Sequence, residues 1–459
     1  MTACDRMRPR RERCRRFVGA PKGLKLLSLL LLCAFCGVWS ERVLAAAVIV
    51  AQCPDLEDCT SGLQDALDTA AAMVSLHRPK RPTVRIPLLP GRKPWTIAGR
   101  PVQTMYGHLG HVGVQLGQQH SGINLIIDSG VLLLAKRGSF KAKAAPFLEL
   151  TNVSNVSISG YGAEVRMWRE DYNQTVGLKK PNRLGYIWSM DRHGILVNNC
   201  QNVDIVGLTV SNSGGDGLCL IAGVPYASSY SRGSTNITIR DAIFDRNYRQ
   251  GMSVLGARGL TVVNTTFSRT GYGGLGTPPM AGVDIEPDRW QQLSDVQFLN
   301  CTAEANTGAG FSVNLLSATL QGLGGQHARL GIVFEDCVVR GSGSVRPYLD
   351  QRNQAGFSFV SLTPGLSGCI AIRNSRVEAT RLPGLLISDK PRNSTLVKVH
   401  NLTLNRCATA STICDGSHKC ESKRSFPPNA TNTPVALLFR PDRAKHPLDQ
   451  GRVEVRRLN

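Results

Sequence analysis

Charged residues are scarce in this chain and unequal in sign. Asp, Glu, Lys and Arg make up 19% of it, and 33 acidic residues stand against 54 basic ones, a formal net charge of +21. With 42% hydrophobic residues beside so few charges, a disordered chain is excluded and a folded core is expected. Paired zinc-ligand spacing is also missing. The only C-x-x-C runs from Cys33 to Cys36, in a segment expected to be removed, and no second pair matches it, so no zinc site and no cofactor is predicted. A calcium-binding nonapeptide of the G-G-x-G-x-D type is absent, although the acids clustered around Asp284 offer ligands. No nucleic-acid-binding motif accompanies the basic charge. No long membrane span is present either: the apolar run from Leu24 to Val38 falls short of the roughly 20 residues that cross a bilayer.

That run does fit a secretory leader. Basic residues from Arg6 to Arg16 precede it and Ala45, Ala46 and Ala47 follow, so residues 1–47 read as a signal peptide. The alternative is an uncleaved anchor of a Golgi or ER type II membrane protein, the one case in which a membrane is a partner. Residues 1–25 hold nine Arg or Lys against Asp5 and Glu12, so the rest of the chain keeps a charge of about +14. A basic body suits an anionic polysaccharide, or is simply a solvated surface. Nine N-x-S/T sequons follow, at Asn152, Asn155, Asn173, Asn236, Asn264, Asn300, Asn393, Asn401 and Asn429. They are glycosylation candidates in a secreted chain, although the strand pattern described next writes N-φ-T-φ by itself. Ten cysteines lie beyond the leader, and the predicted bridges join Cys53 to Cys59 and two of Cys407, Cys414 and Cys420.

With 46 glycines, the chain is punctuated by turns, and a repeat sets their spacing. Apolar alternation recurs in NVDIVGLTV (202–210), NITIRDAIF (236–244), GLTVVNTTF (259–267), SDVQFLNCTA (294–303), LGIVFEDCVV (330–339), GCIAIRNSRV (368–377) and TLVKVHNLTL (395–404). Each is partnered by a second strand opening at a glycine: HGILV (193–197), DGLCL (216–220), QGMSV (250–254), AGVDI (281–285), AGFSV (309–313), AGFSF (355–359) and PGLLI (383–387). One such unit cannot bury its apolar face, and stacked units bury a continuous core. Leu208, Ala242, Thr265, Cys301, Cys337, Ser375 and Leu402 are predicted to form one inward ladder. Val210, Phe244, Phe267, Ala303, Val339, Val377 and Leu404 form the next, with Cys301 and Cys337 as core thiols. The segment 60–74 (TSGLQDALDTAAAMV) reads as an amphipathic helix opening with a Thr or Ser N-cap and closing the N-terminal end. The expected organisation is therefore an N-terminal cap and first coils over 48–110, stacked coils over 111–405 and a Cys-containing cap or tail over 406–459.

The order of an Ala-rich helix, a P-L-L-P-G turn, the coil NVSISGYG and then N-φ-x-φ coils resembles the pectin-lyase-like superfamily over roughly residues 55–440. The runs RHGILVNNCQNVDIVGLTVSNSGGDGLCL, DRNYRQGMSV and AGVDIEPD are similar to right-handed β-helix repeat proteins. The resemblance implies an all-β, right-handed parallel β-helix, a solenoid with an N-terminal capping helix. It also implies action on polysaccharide, since the superfamily includes polygalacturonases, pectate and alginate-type lyases, polyuronate epimerases and phage tailspikes. The paired Asp-Asp and Gly-His-Gly motifs of polygalacturonases are absent, which counts against simple pectin hydrolysis.

Register then selects the candidate site. The position before the corner glycine holds His193, Asp216, Gln250 and Ala281, and the one before that Arg192, Gly215, Arg249 and Met280. Asp284 is predicted to point outward from its strand, with Glu286 on the same face and Asp288 beyond. Later coils carry Ser312 and Ser358 in place of Asp284 and Ala309 and Ala355 in place of Asp216, so the ionisable cluster is confined to one part of the solenoid. Asp216, Asp284, Glu286 and His193 are the catalytic candidates. Arg192, Arg249, Gln250, Asp288, Tyr248 and Trp188 are the substrate-binding ones. Aspartates two coils apart have backbones about 9–10 Å from each other, within range of the carboxyl spacing of inverting glycosidases. The reading is a monomeric, secreted glycoside hydrolase binding polysaccharide and no nucleic acid. The alternatives are a polyuronate lyase or epimerase using His193 and an arginine, and a non-catalytic glycan-binding or extracellular-matrix protein in which the acids decorate the surface.

Overall fold

Parallel pairing dominates the computed structural model, which describes residues 47–75, 81–103, 109–173, 180–221, 233–287, 293–316, 329–343, 355–360, 362, 366–380, 383–387, 395–405, 407 and 453–456. A nine-stranded parallel sheet runs in coil order through Val114–Leu116, Leu148–Thr151, Ile195–Asn198, Leu218–Ile221, Met252–Val254, Val283–Ile285, Phe311–Asn314, Phe357–Val360 and Leu385–Ile387. The rest of the wall is a twenty-stranded network. Most coils add to it two successive strands, such as Gln201–Val206 and Thr209–Ser211, bent at Gly207, whose φ is 72°. Among the described residues only Arg100–Gln103 and Leu109–Val112 pair antiparallel.

The inward ladders fall where the periodicity places them. Val210 pairs with Phe244, Phe244 with Phe267, Phe267 with Ala303, Ala303 with Val339, Val339 with Val377 and Val377 with Leu404, and all seven are buried. Aromatic rings stack along the axis: Phe244 on Phe267 at 5.5 Å, Phe298 on Phe334 at 5.4 Å and Phe311 on Phe357 at 5.3 Å between centroids. Cys301 and Cys337 are buried free thiols of this core, as the alternation predicts.

The corner glycines are required by close approach. A Cβ on Gly251 would lie 2.5 Å from the carbonyl oxygen of Gly282, and one on Gly282 would lie 2.7 Å from that of Gly310. Asparagines mark a different corner, where the backbone turns left-handed: φ is 53° at Asn202, 54° at Asn236, 48° at Asn264 and 52° at Asn300. Their side chains form a ladder, with Asn236 Nδ2 donating to Asn202 Oδ1 at 2.7 Å and Asn300 Nδ2 to Asn264 Oδ1 at 3.3 Å. Several sequons therefore owe their asparagine to the turn.

The N-terminal helix spans Thr60–Ser75 and packs Leu63, Ala66, Leu67 and Ala70 into the core beside the first coils. Its capping differs from the expectation. The Asp58 carboxylate accepts the Thr60 N–H at 3.1 Å, while Thr60 Oγ1 accepts the Ala98 N–H at 2.7 Å and ties the helix to a coil. Cys53 and Cys59 form the predicted disulfide immediately before it. Cys407 does not bridge: it is a buried free thiol, its Sγ 3.6 Å from the Val377 carbonyl, enclosed by the last described coil. Cys369, outside the predicted set, is disulfide-bonded. Cys414, Cys420, Asn393, Asn429 and the apolar leader lie outside the described residues. Among the described residues no helix is long and apolar enough to cross a membrane.

Candidate functional site

The nine-stranded sheet carries the candidate residues on its outer side. Pairing aligns Glu149, Leu196, Cys219, Ser253, Asp284, Ser312, Ser358 and Leu386 in one stripe. Val283 and Ile285 flank Asp284 and are buried in the core, so Asp284 faces outward as alternation requires. The corner residues stack beside the stripe: Gly194 N–H donates to Asp216 O, Gly217 N–H to Gln250 O and Gly251 N–H to Ala281 O. Asp216 and Asp284 are therefore two coils apart, with the Gln250 coil between.

The stripe is not an open groove. Asp216 is 0% and Asp284 2% exposed, and Ser253 and Ser312 are buried with them. Arg249 bridges the acids. Its Nη1 lies 3.5 Å from Asp216 Oδ2 and its Nη2 3.8 Å from Glu286 Oε2. Burial opposes the guanidinium charge, and the carboxyls of Asp216, Asp284 and Glu286 outweigh that cost and hold its pKa above the ordinary value. Burial also dominates for the acids. It raises Asp216 to about 6, with the Arg249 charge partly offsetting it, and raises Asp284 to about 6 against the same arginine. Glu286 lies at the rim with 31% of its side chain exposed, accepting from Asn314 Nδ2 at 2.9 Å.

His193 packs against Asp216, with Nδ1 3.3 Å from Asp216 Oδ2. Nδ1 also accepts the Asp216 backbone N–H at 3.2 Å, and burial lowers the imidazole to about 4. A neutral ring whose Nδ1 accepts carries its proton on Nε2, so that nitrogen is a donor and not a base.

Several predicted roles change. Arg192 is 0% exposed and donates to the carbonyls of Phe140, Lys141 and Ile187. Its guanidinium lies 5.3 Å from the Tyr172 ring centroid and 5.6 Å from that of Tyr186, so it anchors the segment before the corner and cannot bind substrate. Tyr248 is 1% exposed, a packing residue with no face for a sugar ring. Gln250 is fully buried and holds Asp284 instead of substrate: Nε2 donates to Asp284 Oδ2 at 2.8 Å while Oε1 accepts the Ala281 N–H at 2.8 Å. Trp188 is partly exposed, and Asp288 lies outside the described residues.

Glu149, Cys219 and Ser253 are site residues that the sequence reading missed. Cys219 and Ser253 stand two places after their corner glycines, as Asp284 does, so aligning the second strands would have found them. Glu149 was hidden because Phe147 occupies the corner-glycine place of its coil; burial raises the Glu149 pKa while the Thr151 hydroxyl donates at 2.8 Å.

Comparison with known proteins bears on the fold. Residues 186–324 match the family described as the right handed beta helix region. No curated protein matches the sequence. Among solved structures, the A-module of an Azotobacter vinelandii mannuronan C-5 epimerase is 13% identical over 77% of this chain and 86% of its own, with a TM-score of 0.44. A pectate lyase is 15% identical over 64% of this chain and 65% of its own, with a TM-score of 0.40. PfbA, a surface adhesin of Streptococcus pneumoniae, is 12% identical over 79% and 89%, with a TM-score of 0.38. The chain thus spans about two thirds of the lyase's length. With the parallel register and the inward ladders, the matched coils make this protein a right-handed parallel β-helix.

Proposed function

We propose that the protein is a secreted, polysaccharide-active enzyme that hydrolyses glycosidic bonds with carboxyl groups gathered around Arg249. The observation that carries this reading is the pair of buried acids, Asp216 and Asp284, each raised to about 6 and facing one arginine. Near neutral pH such groups exchange a proton readily, as acid and base steps on a glycosidic oxygen and on water require. Gln250 orients Asp284 through one hydrogen bond, and Glu286, more exposed than Arg249 beside it, is the part of the cluster that a chain meets first. Arg249 is suited to an anionic sugar substituent, which the basic charge of the chain would also attract. The tautomer of His193 disfavours the lyase or epimerase alternative, because that chemistry needs a base at the sugar C5 and the imidazole presents a donor.

The test is to follow new reducing ends and unsaturated-uronate absorbance together on neutral, uronic and sulfated polysaccharides. Reducing ends without absorbance support the hydrolase. Absorbance moves the assignment to a lyase, and binding without either product leaves an epimerase or a carbohydrate-binding scaffold.

A further inference from the structure

We propose that His193, Asp216 and Cys219 form a binding site for a thiophilic divalent cation of the zinc class. An imidazole nitrogen, a carboxylate oxygen and the thiol sulfur of these residues all lie within 4.8 Å of one another. His193 Nδ1 and Asp216 Oδ2 are 3.3 Å apart, within the roughly 3 to 4 Å that separates two ligands of one tetrahedral zinc. A second observation points the same way. Asp216 is 0% exposed, and although Arg249, Ser253 and Cys219 approach its carboxyl, neither oxygen has a hydrogen-bond partner of good geometry. A buried carboxyl in that condition is costly unless something compensates it. Nitrogen, oxygen and sulfur on one spot is a donor set that suits zinc and disfavours calcium or magnesium, which take oxygen alone.

The three ligands come from two neighbouring coils: Asp216 and Cys219 are close in sequence on one, while His193, 23 residues before Asp216, joins them only through the stacking. Three protein ligands leave one tetrahedral position for water. Two features oppose binding. The Asp216 backbone N–H already donates to His193 Nδ1 at 3.2 Å, a contact that ligation through Nδ1 would replace. The Arg249 guanidinium stands 3.5 Å from Asp216 Oδ2, a positive charge beside the cation. That arginine gives the proposal an outcome of opposite sign, because removing its charge must tighten the site.

The experiment is equilibrium dialysis of the folded full-length chain against Zn2+, with Co2+ substitution read by absorbance. One equivalent of Zn2+ is expected, with a thiolate-to-cobalt charge-transfer band in the near ultraviolet. Cys219→Ser and His193→Ala should each weaken binding more than about tenfold, the lower range for losing even an outer-shell partner. Arg249→Met should tighten it at least about tenfold. No bound equivalent, no cobalt–thiolate band, or binding unchanged in Cys219→Ser overturns the proposal. Should Cys219→Ser fail to fold, the cobalt band of the unaltered chain decides alone. All readouts are of metal binding, so the site stands or falls apart from the hydrolase reading, although it shares Asp216 with it.

Discussion

Replacing Asp216 by Asn, and separately His193 by Gln, should tilt the pH dependence of stability in opposite directions. Asp216 is raised to about 6 in the folded chain, so its stabilising contribution is fully present below its ordinary value of 3.8 and is lost as pH rises through about 6. His193 is lowered to about 4, so its contribution is present above its ordinary 6.5 and lost as pH falls through about 4. Each shift is a little over two pKa units, or about 3 kcal/mol at 1.36 kcal/mol per unit. Both windows cover about pH 4 to 6, so in the unaltered protein they largely cancel. Relative to that protein, Asp216→Asn should gain about 3 kcal/mol between about pH 4 and pH 7, and His193→Gln should lose a similar amount. Urea unfolding of the three chains at the two pH values measures this, and a difference in apparent stability between chains needs no two-state assumption about its sign. The reasoning is refuted if Asp216→Asn keeps the same offset at both pH values, or if its advantage is larger at pH 4.

Other substitutions separate structure from site. Arg192→Met should cost about 3 kcal/mol of stability, since one buried and two part-buried carbonyls lose their donor, and Arg249→Met should remove any polysaccharide activity while the chain still unfolds cooperatively; urea unfolding and product assays check the pair. Phe311→Ala should cost about 3–5 kcal/mol by opening a cavity among Phe298, Phe334 and Phe357, again read by unfolding. If the chain passes through the secretory lumen, enzymatic removal of N-glycans should lower its mass, with Asn152 and Asn173, both exposed, among the sites mapped by peptide analysis.

The solenoid was legible in the sequence because its core repeats in register. One Phe, Val, Ala or Leu per coil at the Val210 position and one glycine per corner leave a periodic trace that survives variable loop lengths. Asp216 and Asp284 were legible for the same reason, as departures from the alanines and serines that later coils place there, and Arg249 and Glu286 as the charged residues nearest them in that register. What alternation does not carry is depth. It distinguishes the inner from the outer side of a strand and is silent on whether the outer side is covered, so Asp284, Gln250 and Tyr248 were expected at a groove and lie buried. Arg192 misled because its guanidinium is satisfied by three carbonyls from the segments around 140 and 187, contacts that no repeat encodes. Cys407 misled for a related reason: cysteines close in sequence suggested a bridge, while this thiol is buried free against the Val377 carbonyl of the preceding coil.

The most direct measurement is reducing-end release from an anionic polysaccharide by the unaltered chain, Asp284→Asn and Ser358→Ala, the last in the same stripe two coils from Asp284, each first shown to be folded. The expected result is release by the unaltered chain and by Ser358→Ala, with a loss of at least about 100-fold in Asp284→Asn, the usual scale of one acid–base group. Equal release by Asp284→Asn and the unaltered chain would contradict the assignment of this buried carboxyl pair as the reacting centre.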